Sequence, residues 1–251
     1  MANRRAVAVI PSRYASTRFP GKPLALLDGQ PMVAHVVARA REAGCFAEVF
    51  VATDDERVAA AARAAGATAV MTGPARTGTD RVAEAARSVA AEVIVNVQGD
   101  EPAVPPASLR TLATFLLAHP EVPLATLALP AAGPDLLDPN VVKVVCGASG
   151  DALYFSRSPI PYPRNPEPGV ARRHVGLYGF QRDALLAFAA WPEAVLERVE
   201  GLEQLRALAN GMTIRVLDAA GESVAVDTPD DVPRAEAALR VLLRSRGEDR
   251  G

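Results

Sequence analysis

The first half of the chain alternates short runs of β-branched and small apolar residues with longer Ala-rich stretches whose apolar positions recur at helical spacing. Runs of the first kind predict strands and stretches of the second predict amphipathic helices, and their alternation predicts parallel βαβ units. The order expected is strand 6–10, helix 32–43, strand 48–52, helix 55–65, strand 68–71, helix 79–90 and strand 93–97. Gly44 and Gly66 stand just past the first two helices, where a residue at ease in the left-handed conformation ends a helix. After Pro105 and Pro106, helix 108–118 leads into strand 124–129, and there the pattern breaks. From 130 to 168 prolines and β-type segments dominate, with a hairpin expected from 141–146 and 151–155 about Ala148-Ser149-Gly150. Strand 174–180, helices 182–190 and 196–210 and strand 213–217 restore the α/β pattern. A last helix is expected from 229 to about 243, with Thr228 as N-cap, Pro229 at its first position and acids in its first turn. The fold class is therefore α/β, a mostly parallel sheet in a single domain over 1–251, with a smaller lobe inserted at about 131–180. No internal repeat or low-complexity linker divides it.

Composition leaves that picture intact and removes several functions. Hydrophobic residues at 49% and charged residues at 22% are ordinary for a globular chain of 251 residues, so only the end, 244–251, is expected to fray. Lys and Arg number 27 against 29 Asp and Glu, a net charge of -2. With no overall positive field, any anion site must be a local cluster of cations, and nucleic acid is not expected as a partner. The apolar run 6–10 is too short for a signal peptide. No apolar stretch reaches the ~18 residues of a membrane span, so no membrane insertion and a cytoplasmic location are expected. Cys45 and Cys146 lie far apart in apolar contexts, which suits core thiols in a reducing compartment rather than a disulfide or metal site.

Ligands of open parallel sheets bind beyond the carboxyl ends of the strands. The first such segment, 11–24, carries Arg13, Arg18 and Lys22 with hydroxyl residues and no acid. Forked and point cations together match a triphosphate, although a solvated basic loop has the same composition. The segment is not a Walker A loop, because Pro23 follows Gly21-Lys22, and it lacks G-x-G-x-x-G. The second segment, Asn96-Val97-Gln98-Gly99-Asp100-Glu101-Pro102, sets carboxylates at the end of an apolar strand. Hard oxygen ligands there suit Mg²⁺ bridging protein and triphosphate, and an ordinary polar strand end is the alternative. In Val226-Asp227-Thr228-Pro229-Asp230-Asp231, capping explains the last two acids but not Asp227. Gly78-Thr79-Asp80-Arg81 opens a helix, either a plain start or a place where free N–H groups hold a base or phosphate. Arg157, Arg164, Arg172, Arg173 and His174 surround the inserted segment and could receive a substrate carboxylate, while His174 taken alone reads as structural.

Taken in order, these segments resemble the 3-deoxy-D-manno-octulosonate cytidylyltransferases, or CMP-Kdo synthetases, from residue 6 to about 243. The matching blocks are 11–24, 96–102, Asp138-Pro139-Asn140-Val141-Val142-Lys143-Val144, Tyr154-Phe155-Ser156-Arg157, Arg173-His174-Val175-Gly176-Leu177-Tyr178-Gly179-Phe180, Leu202-Glu203-Gln204-Leu205-Arg206 and Val226-Asp227-Thr228-Pro229. The resemblance implies a Rossmann-like nucleotidyltransferase with a dimerisation lobe, a homodimer transferring CMP from CTP to Kdo with Mg²⁺ and releasing pyrophosphate, in lipopolysaccharide biosynthesis. It implies Arg13 and Lys22 on the triphosphate, with Arg18 second to them, and Gly78, Thr79 and Arg81 toward the nucleotide. Asp100 and Asp227 would bind metal and complete a catalytic set with Arg13 and Lys22. Gln98, Arg157, His174, Tyr178, Glu203 and Gln204 would form the sugar site. The reaction it implies needs no covalent enzyme intermediate.

Two rival functions share this pattern, a cytidylyltransferase for a related acidic sugar such as sialic acid, and a nucleotide-binding protein without catalysis. The presence of both Asp100 and Asp227 speaks against the second. The chain departs from the family at Ala75 and Thr77, where a His and a Ser are common, and in a shorter loop over 162–172, which leaves Arg164 without an assigned role.

Overall fold

The computed structural model describes residues 4–15, 18–131, 133–165 and 169–248. Strand β1 (Ala6–Pro11) is buried on both faces, with Ala6, Ala8 and Ile10 in one apolar cluster and Val7 and Val9 in another. Burial on both sides is why its sequence is a continuous apolar run and not an alternation. A 3₁₀ turn at Lys22–Leu24 and a short hairpin, β2 (Leu26–Leu27) and β3 (Gln30–Pro31), lead to α1 (Met32–Glu42). The βαβ succession continues through β4 (Val49–Thr53), α2 (Glu56–Ala64), β5 (Thr68–Met71), α3 (Gly78–Ala86) and β6 (Val93–Asn96). Asp55 caps α2 by accepting from the Arg57 N–H at 2.9 Å, and Thr77 caps α3 by accepting from the Asp80 N–H at 3.0 Å.

The second half begins with α4 (Pro106–Ala118), β7 (Leu124–Pro130), α5 (Gly133–Leu137) and the hairpin β8 (Lys143–Cys146) and β9 (Ala152–Ser156). It continues with β10 (Arg172–Gln181), α6 (Arg182–Ala190), α7 (Val195–Glu200), α8 (Leu205–Ala209), β11 (Ile214–Asp218) and α9 (Val232–Glu248). Among the described residues one large sheet has the order β11-β7-β10-β6-β1-β4-β5, with the β8–β9 hairpin joined to β10. Pairings of β1 with β4 and β6, of β4 with β5 and of β11 with β7 are parallel, whereas β10 runs antiparallel between β6 and β7. Side chains of α1, α2 and α4 fill the cluster on one face, and those of α3, α6 and α8 the cluster on the other. Because the chain leaves β1 toward β4 and later returns to its other edge as β6, a crevice opens above the carboxyl ends of these strands.

Several expectations change. The segment expected as an inserted lobe at 131–180 is not separate as a whole, since β10 lies inside the main sheet and only α5 and the β8–β9 hairpin stand off its path. The helix expected over 196–210 is two short helices, because Gly201 takes the left-handed φ of 62° and ends α7. Helix α3 stops at Ala86 rather than 90, and Val89 and Ala91 are buried in the connection to β6. The last helix begins with a 3₁₀ turn at Pro229–Asp231 and runs to Glu248, through most of the end expected to fray, with 249–251 outside the described residues. In β10, Val175 faces Leu127 and Tyr178 faces Thr126. Gly176 and Leu177 are therefore two extra residues, a bulge that bends the strand beside the crevice.

Candidate active site

The loop after β1, the start of α3, the end of β6 and the segment before α9 enclose a cleft of about 300 Å³. Its walls carry Ser12, Arg13, Arg18 and Lys22, then Thr77, Gly78 and Arg81, then Gln98, Gly99 and Asp100, and finally Asp227. Residues as far apart in sequence as Ser12 and Asp227 are thus brought to one place by the parallel strand order, as the positions beyond the strand ends require. A larger, open groove of about 940 Å³ lies at the other ends of the strands, around Arg5, Arg87, Glu92 and Arg182, and holds none of these residues.

Lys22 is the centre of the cleft's polar network. Its Nζ donates to Asp100 Oδ2 at 2.8 Å and to the Val226 carbonyl at 2.9 Å, and lies 3.8 Å from Asp227 Oδ1. Arg18 donates to the same Asp227 oxygen at 3.0 Å. The Val226 N–H donates to the Asp100 carbonyl at 2.9 Å, which ties the segment before α9 to the end of β6 and fixes the spacing of the two carboxylates. Gly99 makes the approach possible, since a Cβ there would overlap the Pro11 carbonyl oxygen and come within 2.9 Å of Ser12 Oγ. An ammonium between two carboxylates marks a place built for positive charge. Mg²⁺ is commonly held by one or two carboxylates plus substrate phosphates and water, and Asp100 and Asp227 supply that oxygen set. Among the described residues no group of three or more His, Cys, Asp or Glu side chains is placed to hold a metal by itself, so a cation here would take its remaining ligands from substrate and solvent.

The other nucleotide candidates divide. Arg13 is exposed on the cleft wall and has no ion-pair partner among the described residues. Arg81 lines the cleft but is buried, donating to Thr72 Oγ1 and, at 2.7 Å, to Asp54 Oδ2, so its charge is already committed across the ends of β4 and β5. Thr79 does not face this cleft. Its hydroxyl donates to Glu203 Oε2 at 2.6 Å and accepts from Asn96 Nδ2 at 3.3 Å, which places it with the sugar candidates.

Those candidates adjoin the cleft on the β10 side. Thr79, Tyr178, Glu203 and Gln204 line a small pocket floored by Leu124, Phe180 and Phe188. Gly201 breaks the helix just before Leu202-Glu203-Gln204, and the turn so formed aims both polar side chains inward. Burial pushes the Glu203 carboxyl up, against hydrogen bonds from Thr79 and Thr77. Gln204 Nε2 is closed off from solvent without a protein partner, a donor left for a ligand. Buried Arg206 holds Glu197 through two hydrogen bonds and lies 3.8 Å from both Asp80 and Glu203. Gln98 Nε2 donates to the Gly176 carbonyl in the bulge at 3.2 Å. His174 and Tyr178 stand side by side on β10 with ring centroids 5.5 Å apart. Burial lowers the His174 pKa to about 3 and raises that of Tyr178 well above its ordinary value, so both are neutral near pH 7. Burial and the adjoining Asp100 push Glu101 up to about 7.

The remaining cations are not brought here. Arg157 donates to the Glu200 carbonyl at 2.8 Å and to the Pro139 carbonyl at 2.9 Å and lines neither pocket. Arg172 pairs with Asp218 and Arg173 with Glu222, so neither is a free carboxylate receptor. Sequence reasoning passed over Asn96, Asp54, Thr126 and Arg206. Arg206 alone carried a signal, as a cation in a matched block beside Glu203, whereas Thr126 in an apolar strand reads as a plain β-former.

The family model for cytidylyltransferases matches residues 7–214. A 3-deoxy-manno-octulosonate cytidylyltransferase from an Anaeromyxobacter species is 53% identical over 239 residues, 94% of this chain and 97% of the relative. This chain belongs to the 3-deoxy-manno-octulosonate cytidylyltransferase family. The relative of that name from Myxococcus xanthus is 50% identical and covers 98% of this chain, all of its own length being matched. A solved structure of CMP:2-keto-3-deoxy-manno-octonic acid synthetase complexed with CTP is similar at a TM-score of 0.89 with 44% identity, over 94% of this chain and 98% of that one. The fold extends to a 4-diphosphocytidyl-2C-methyl-D-erythritol synthase from Anaerococcus prevotii, at a TM-score of 0.65 and 11% identity. The expected Rossmann-like nucleotidyltransferase fold, the family and the enzyme class all hold.

Proposed function

We propose that this chain transfers CMP from CTP to 3-deoxy-manno-octulosonate, releasing pyrophosphate. The observation that carries the reading is the Asp100–Lys22–Asp227 cluster at the crevice between β1 and β6, in a chain whose relatives bear the name of that activity along almost their whole length. Both reactants are anions, so their approach is opposed by charge and by the entropy of orientation. Arg13 and Lys22 answer the first problem at the triphosphate and stabilise the charge of the departing pyrophosphate. On binding, Lys22 exchanges its carboxylate partners for phosphate oxygens. Asp100 and Asp227 would then be free to hold Mg²⁺, which when bound supplies a Lewis acid beside the α-phosphate. The sugar lies toward Gln98, His174, Tyr178, Glu203 and Gln204, with its anomeric hydroxyl turned to the α-phosphate. Arg157, expected in the same site, donates to the Glu200 and Pro139 carbonyls and keeps further N–H donors and its charge for the sugar carboxylate. No helix among the described residues is long and apolar enough to cross a membrane, which is in keeping with the proposed work on soluble anions in the cytoplasm.

The proposed enzyme is a homodimer. Leu137, Leu153, Tyr162 and Val170 are exposed within 131–180, and Val195 and Val199 on α7. Exposed apolar groups in such number suit a subunit contact, most simply with two-fold symmetry. Mass analysis of the product from CTP, Mg²⁺ and Kdo tests the function, a CMP ester of the sugar being expected. A CMP ester formed faster with sialic acid would assign the chain to a related sugar instead.

A further inference from the structure

The hydroxyl of Thr126, buried in β7, touches three groups of the β10 bulge. Its Oγ1 lies 2.8 Å from the Leu177 carbonyl oxygen, 3.3 Å from that of Val175 and 2.8 Å from His174 Nε2. A hydroxyl has one proton, and two oxygens 2.8 Å apart need it between them. The proton therefore goes to Leu177, with Val175 as the longer branch, and Oγ1 offers only a lone pair to the imidazole. His174 must then be the donor at Nε2. A neutral ring that carries its proton on Nε2 has a lone pair on Nδ1, and Nδ1 has no hydrogen-bond partner among the described residues. The ring is clamped in place by Phe155, edge-on at 5.0 Å, and by Tyr178.

We propose that Thr126 is a positioning residue that fixes His174 as the Nε2–H tautomer, so that Nδ1 accepts a hydrogen bond from a hydroxyl group of the sugar. This rests on the proposed sugar site and deepens it. It also reverses the expectation from sequence that His174 joins a receptor for the substrate carboxylate, because a neutral acceptor repels a carboxylate and selects a donor. The same hydroxyl proton holds the bulge, while Gln98 takes the Gly176 carbonyl between the two that Thr126 occupies. Bulge shape and imidazole tautomer are thereby set by one side chain.

The test is ¹⁵N NMR of the His174 ring in sugar-free wild-type protein, followed by titration with Kdo, together with kinetics of Thr126→Val and Thr126→Ser. The expected spectrum has a protonated Nε2 and an unprotonated Nδ1 at pH 7, with only Nδ1 moving on sugar binding. Thr126→Val should raise the sugar KM about tenfold, the loss of roughly one hydrogen bond, with the CTP KM unchanged, and Thr126→Ser should behave as wild type. A protonated Nδ1 or an imidazolium in the free protein overturns the proposal, as does a folded Val variant with normal sugar KM. The tautomer is read without sugar, so it is decided even if no CMP ester of Kdo forms, a result that would sink the proposed function alone.

Discussion

Lys22 bridges Asp100 and Asp227, with its ammonium nitrogen 2.8 Å from one carboxylate and 3.8 Å from the other. Each acid would be repelled by its neighbour without a cation between them, so the cluster is an electrostatic unit, and the proposed function requires its filling to change when substrate arrives. In Asp227→Asn the geometry survives and one charge goes. We expect kcat to fall about a hundredfold, ~2.7 kcal/mol of transition-state stabilisation, with partial rescue by Mn²⁺. The melting temperature of the metal-free protein should change little, because the Arg18–Asp227 pair is exposed and such pairs contribute only ~0–1 kcal/mol. Near-normal turnover of the folded variant at saturating CTP, Kdo and Mg²⁺ would assign the second carboxylate wrongly.

Gly99 predicts a second outcome. Its missing side chain is what lets the end of β6 lie against Pro11 and Ser12. Gly99→Ala should push the two loops apart, costing ~1–3 kcal/mol as an overpacked contact does, and should lower both the unfolding midpoint in urea and the rate. A variant of unchanged stability would show that the strand ends have room to give.

Acid should unfold the protein partly through His174. Its imidazole titrates at about 3 when folded and near 6.5 when unfolded, so between those values the unfolded chain holds more protons and stability falls as the pH drops. Glu101 acts the other way. Raised from 4.5 to about 7, it binds its proton more tightly in the folded state, and stability falls as pH rises through that window. Denaturant titrations of metal-free protein should therefore show His174→Gln losing less stability than wild type from pH 6.5 to 4.5. An identical loss in both would mean that the folded imidazole is not kept neutral by burial.

Much of this was legible from sequence because the parallel half is built from locally visible units. The apolar runs of β1, β4 and β6 are buried, and Gly44 and Gly66, expected to end helices, take left-handed φ values just past α1 and α2. What failed depended on distant partners. Strand 174–180 is legible as a return to the α/β pattern, but nothing within 172–181 says that it enters the sheet between β6 and β7, and so the bounds expected for the insertion, 131–180, overlap it. Gly201 lies in a segment of otherwise helical composition, and the structure shows the chain turning there through its left-handed φ, with Leu202 and Leu205 buried just beyond. At the site, Arg13, Lys22 and Asp100 stand out as charges placed after apolar strands and Asp227 as an acid that capping does not explain, and the structure brings all four to one cleft. The engagement of Arg81 by Asp54 and Thr72, the turn of Thr79 toward Glu203 and the grip of Thr126 on His174 are tertiary facts with no local signature.

Assembly gives a fourth prediction. Light scattering at micromolar concentration should report the mass of two chains. The double change Leu153→Asp and Val199→Asp, at two exposed apolar positions, should give a folded monomer with higher dissociation at equal stability of the core. A monomeric wild type would refute the proposed dimer.

The most direct test of the whole account is the initial rate of pyrophosphate release from CTP and Mg²⁺, with and without Kdo. The account predicts release that requires the sugar, and a rate with ATP or GTP lower by at least about a hundredfold, since a pocket shaped for a pyrimidine rejects a purine by several kcal/mol in favourable cases. Release that ignores the sugar, equal rates with a purine triphosphate, or no release at all from well-folded protein would contradict it.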